Sequence, residues 1–95
     1  MKLELFSSKK GIARPNLVAI QAADLDMLPT VLVCPLLPDE ILSAVRAQVM
    51  VDGREYIALC DLARPVNRRI LVKVGELSEA DSQRIMQTFR LLLAG

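Results

Sequence analysis

Lys2 to Phe6 alternates charged and apolar side chains, with Leu3 and Leu5 on one face and Lys2 and Glu4 on the other. That period of two predicts a short, half-buried strand. Ser7 to Pro15 holds Lys9, Lys10, Gly11, Arg14 and Pro15, and predicts a loop that returns the chain. Asn16 to Gln21 is apolar and β-branched, a second strand. Ala22 to Thr30 carries Asp24, Asp26 and Pro29 and predicts an irregular connection. Val31 to Leu36 is a continuous apolar run, expected as a central strand interrupted by Pro35 near its end.

Pro38-Asp39-Glu40 predicts the start of a helical turn through Ile41, Leu42 and Val45, with its acids where the helix dipole favours them. Val49-Met50-Val51, Asp52-Gly53 and Arg54 to Leu59 predict a hairpin, because Asp-Gly supplies the two positive φ values of a type I′ turn. Ile70 to Val74 predicts one more strand, closed by Gly75. Ser78 is then an N-cap candidate with Asp81 three residues on, and Ile85, Phe89 and Leu92 fall on one helical stripe. Five or six short strands followed by one helix predict a mainly β, α+β fold: a small barrel or bent antiparallel sheet with a C-terminal helix packed on it.

At 95 residues the chain has room for a single domain, 1–95, and its 53% hydrophobic content excludes intrinsic disorder. So small a domain buries only part of its apolar surface internally, so a homodimer is the expectation. Lys and Arg number 12 against 11 acids, a net charge of +1, so bulk charge points to no nucleic-acid partner. Aromatic residues make up 3%, too few for a base-stacking surface.

The chain contains no His, which excludes Ser–His and Cys–His catalysis and ordinary zinc enzymes. Cys34 and Cys60 lie in apolar stretches without metal or CxxC spacing, and are expected as buried, reduced thiols. No metal or cofactor motif is present. Neither a signal-type apolar run at the N-terminus nor a membrane-length stretch occurs, so a cytoplasmic protein is expected.

Arg64-Pro65-Val66-Asn67-Arg68-Arg69, continuing to Lys73, holds four basic residues and no acid. It reads either as a surface for phosphate or an acidic peptide, or as a solvated loop. Lys9, Lys10 and Arg14 form a second basic cluster with the same alternatives. Asp61, directly after the hairpin strand, is a turn-former or a site carboxylate. Without His, a ribonuclease needs a carboxylate base and a cation for the developing charge, roles open to Asp61 and Arg14. Leu91-Leu92-Leu93-Ala94-Gly95 ends the helix either as a plug for a partner crevice or as packing of its own.

Leu17-Val18-Ala19-Ile20-Gln21, then Asp24-Leu25-Asp26-Met27-Leu28-Pro29-Thr30, then Val31-Leu32-Val33-Cys34-Pro35-Leu36 resembles the CcdB pattern of strand, Asp-rich turn with Leu-Pro-Thr, and Pro-Leu strand. Val51-Asp52-Gly53-Arg54-Glu55-Tyr56 and Glu76-Leu77-Ser78 fit the same pattern. Nearly the whole chain is thus similar to the CcdB/MazF toxin superfamily. The resemblance implies an SH3-like five-stranded barrel with a C-terminal helix, a homodimer, and a cognate antitoxin whose acidic, partly disordered segment docks on Lys9, Lys10, Arg14, Arg64, Arg68 and Arg69.

For the CcdB-like branch it implies a non-catalytic poison of the DNA gyrase A subunit, contacted through Leu92, Leu93, Ala94 and Gly95. For the MazF-like branch, to which Arg14-Pro15 and Asp61 to Arg69 are similar, it implies an endoribonuclease cutting single-stranded mRNA. That branch places a hydroxyl residue after the third-strand proline, where this chain has Leu36-Leu37. The CcdB-like reading is therefore the first expectation.

Overall fold

In the computed structural model, which describes residues 1–9, 11–12, 14–20 and 28–94, the alternation at the N-terminus becomes β1 (Glu4–Ser7). Lys10, Gly95 and the 21–27 stretch with Asp24 and Asp26 lie outside the described residues. The strands that follow are β2 (Leu17–Ala19), β3 (Thr30–Leu37), β4 (Ala47–Val51), β5 (Arg54–Ala58), β6 (Arg64–Asn67) and β7 (Val72–Glu76), before the helix α1 (Glu79–Ala94). All pairings are antiparallel, in the order β4-β5-β3-β2-β1-β7, with β6 also paired to β3. The result is a curled sheet closed on one side by the helix, an α+β fold.

β3 organises the sheet. Its even-numbered backbone groups face β2, with Leu36 N donating to Asn16 O and Ile20 N to Leu32 O. Its other edge takes β6 along Thr30–Val33 and β5 at Leu36 and Leu37. Pro35 does not stop the strand. Its carbonyl accepts Leu59 N at 2.8 Å, while its nitrogen, which has no hydrogen to donate, falls where β5 gives way to a 3₁₀ turn at Cys60–Leu62.

Both faces of the central strands are buried. Leu5, Val18, Cys34 and Leu36 join Leu3, Val49, Tyr56, Cys60, Leu77 and Ile85 in the main core under the helix. Phe6, Leu17, Ala19, Val31 and Val33 form a second, smaller core, covered by Val66 and Leu71. This explains why Val33 and Cys34, adjacent on β3, are both buried: each serves a different face.

The helix begins where its cap predicts. Ser78 Oγ accepts Asp81 N at 3.2 Å, and the first turn carries Glu79 and Asp81. One turn in, Ser82 Oγ accepts the buried N–H of Leu3 at 2.9 Å, and Leu77 N donates to Leu3 O at 2.9 Å. Arg84 Nη1 donates to Gln48 O at 3.0 Å and to Asp81 Oδ1 at 2.7 Å. The outer edge of β4 is thereby satisfied by side chains of the helix instead of by another strand. No helix among the described residues is long and apolar enough to cross a membrane.

Three expectations are corrected. Pro38 to Val45 forms turns and irregular backbone, not a helical turn. Its apolar face has nothing to pack on, with Ile41 81% exposed. Arg46 Nη1 reaches back instead to Glu40 Oε2 at 3.2 Å and Ile41 O at 3.5 Å. Arg64 to Asn67, for which a solvated loop is one of the two expectations, is an edge strand, where Pro65 is tolerated because it pairs on one side only. The strand expected at Ile70 begins at Val72, because Asn67 Oδ1 accepts Arg69 N at 2.9 Å and turns Arg68–Ile70 into a 3₁₀ turn. Gly75 lies within β7, opposite Leu5.

Candidate functional site

A cleft of about 250 Å³ opens at the Leu37 end of β3, between the β1–β2 loop and the β4–β5 hairpin. Lys9, Arg14 and Arg54 rim it, and Leu36, Leu37 and Tyr56 line it. The loop is tied at its base. Ser7 Oγ accepts Lys9 N at 3.2 Å, while Asn16 Oδ1 accepts Ser8 N at 3.0 Å and its Nδ2 donates to Ser8 Oγ at 2.7 Å. Ile12 N donates to Lys9 O at 3.3 Å across Gly11, whose φ of +81° an L side chain rarely adopts. Arg54 is placed by the hairpin turn, where Asp52 (φ 51°) and Gly53 (φ 77°) take the two positive φ values that the sequence predicts.

None of the three cations has an ion-pair partner among the described residues. Asp52 borders an adjoining hollow together with Arg14, Arg54 and Tyr56. Cations without partners above an apolar floor suit an extended anionic ligand, whose charges meet the rim while its apolar parts fill the slot.

Asp61 is not part of this cleft. It sits in the 3₁₀ turn at the far end of β5, and its Oδ1 accepts Arg46 Nε at 3.3 Å. The structure therefore does not bring Arg14 and Asp61 together. No protein-family model matches the chain, and no curated protein is significantly similar to it.

The Arg64–Arg69 cluster lies at the other end of β3. Arg64 pairs opposite Val33 and Asn67 opposite Thr30, and Arg68 Nε donates to Leu28 O at 3.0 Å. Arg64 and Arg69 are exposed and Arg68 is half-buried. At about 3.3 Å per residue, the two basic clusters are separated by roughly 20 Å along β3.

At the end of α1 the leucines divide. Leu92 packs partly buried against the main core, while Leu91 is 66% and Leu93 86% exposed. Ala94 ends the helix. Leu91 and Leu93 are thus exposed where Leu92 packs inward, and helical phase is the signal that separates them. Arg54 and Tyr56 were not singled out from the sequence. The Asp-Gly turn is the feature that places Arg54 beside the basic loop. Among the described residues no three His, Cys, Asp or Glu side chains gather as metal ligands would.

Proposed function

We propose that this chain is the toxin of a type II toxin–antitoxin pair, of the CcdB-like kind: a cytoplasmic homodimer that binds the A subunits of DNA gyrase and traps the enzyme on cleaved DNA, catalysing no reaction itself. The exposed pair Leu91 and Leu93 at the end of α1 carries this reading. Apolar side chains on the last turns of a helix anchored through Leu92 form a tip that fits a partner crevice without a large ordering cost. An acidic antitoxin segment is supported by the cation-rimmed cleft and by Arg64, Arg68 and Arg69. About seven extended residues cover the distance between them.

The cleft favours a second reading, a MazF-like endoribonuclease, since Lys9, Arg14 and Arg54 suit a phosphodiester chain. Asp61, held by Arg46, is poorly placed to serve as its base. Incubating the protein with gyrase and plasmid, beside a single-stranded RNA, separates the two. Linearised plasmid with intact RNA supports the first reading. Cut RNA with unaffected gyrase overturns it in favour of the second.

A further inference from the structure

The register of β3 against β5 sets the two cysteines face to face. Leu36 pairs with Ala58, and the next hydrogen bond, Leu59 N to Pro35 O at 2.8 Å, continues the ladder. Cys34 and Cys60 each adjoin that bonded pair, Cys34 on the central strand and Cys60 at the start of the 3₁₀ turn, so their backbones run side by side. Both thiols point into the main core, and both are free. A disulfide spans Cα atoms roughly 4.4–6.8 Å apart, the spacing of directly neighbouring antiparallel chains.

We propose that Cys34 and Cys60 are a modification site, closing into a reversible intramolecular disulfide when the chain meets a hydroperoxide. Cys60 reacts first. It opens the 3₁₀ turn and is followed directly by exposed Asp61 and Leu62, whereas Cys34 sits in the central strand. The hydrogen bond between the two sulfurs, with burial, pushes the Cys34 thiol up, and the same bond holds Cys60 down. Cys60 is thus the better thiolate.

The Cys60 thiolate attacks the peroxide, forming an S–O bond as the O–O bond breaks. The alcohol leaves after taking up a proton, and a sulfenic acid remains. Cys34 Sγ then attacks Cys60 Sγ; the S–S bond forms, the S–O bond breaks, and hydroxide departs with the Cys34 proton as water. Two thiols lose two electrons and two protons, and the hydroperoxide is reduced to alcohol and water. The bond ties β3 to the 3₁₀ turn and closes a loop containing the β4–β5 hairpin and the Arg46 clamp.

The test treats the folded protein with hydrogen peroxide, alkylates it under denaturing conditions and maps the peptides by mass spectrometry. Expected is a linked Cys34–Cys60 peptide pair, reversed by dithiothreitol, and a melting temperature raised by about 10 °C. Both thiols remaining alkylatable after exposed Met1 and Met50 have become sulfoxides overturns the proposal, as do intermolecular disulfides only. In the folded wild type, sub-stoichiometric iodoacetamide followed by peptide mapping alkylates Cys60 at least tenfold faster than Cys34; equal alkylation overturns the assigned order.

Discussion

The carboxylate of Asp81 accepts the backbone N–H of Met50 at 3.0 Å, so a helix side chain occupies the position of a missing neighbour strand. Asp81 is buried, and its other oxygen holds Arg84, which in turn binds Gln48 O. Asp81→Ala leaves a part-buried N–H without its acceptor and Arg84 without its anion. A loss of about 2 kcal/mol in urea unfolding is expected. Arg84→Ala, at an exposed side chain, costs less than about 1 kcal/mol.

Ser82→Ala removes the hydroxyl that accepts the buried Leu3 N–H. About 1–2 kcal/mol of stability is lost, and amide exchange at Leu3 quickens by a similar factor in free energy. Unchanged exchange at Leu3 would show that another group takes over the bond.

The leucines of the last turns separate binding from folding. Leu93→Ser and Leu91→Ser leave stability within about 0.5 kcal/mol and, on the proposed gyrase reading, abolish poisoning. Leu92→Ala, in contact with the core, destabilises by about 1–2 kcal/mol. Full poisoning by the Leu91→Ser/Leu93→Ser double variant would remove the tip from the mechanism.

If Lys9, Arg14 and Arg54 grip consecutive phosphates, binding of a labelled single-stranded RNA weakens with salt at a log–log slope near −2. Replacing any one of them by Ala flattens the slope by about 0.7. Arg46→Ala, whose side chain is engaged with Glu40 and Asp61, leaves it unchanged.

Lys73 donates to Glu4 at 3.0 Å and lies near Glu76 at 3.7 Å, and its pKa is pushed above the ordinary lysine value of 10.5, chiefly by Glu4. A raised pKa means that the folded state holds this proton more tightly than the unfolded chain does. The contribution is therefore fully present below pH 10.5 and is lost as pH rises through the folded value. Melting curves of wild type and Lys73→Met should differ slightly at neutral pH and low salt, and converge at strongly alkaline pH.

Local chemistry made several elements legible in advance. Asp52-Gly53 specifies its turn through backbone sterics alone, and Ser78 with the stripe Ile85, Phe89 and Leu92 specifies the helix. Leu3 and Leu5 share a face as their alternation implies. What failed depended on distant partners. Arg64 to Asn67 is a strand because β3 offers it an edge, and no property of those four residues announces this. Ile41 and Leu42 have helical spacing but no surface to bury against. Of the site, Lys9 and Arg14 were visible as a cluster, while Arg54 joins them only through the curl of the sheet. Asp61 was matched to Arg14 by chemistry, and the fold gives it to Arg46.

The bond from Leu3 to Ser82 also sets a timetable. Its two ends are 79 residues apart, and β1 pairs with β7 as well as β2. At roughly 5–20 residues per second, a ribosome needs several seconds after making the first strand to deliver the partners that finish it. Contacts of such long sequence separation slow folding further. During synthesis the opening strand waits unpaired on one side, and the sheet closes only when the helix arrives. A chain released short of its last helix would keep an open seam and no apolar tip, so incomplete translation products would be easily degraded.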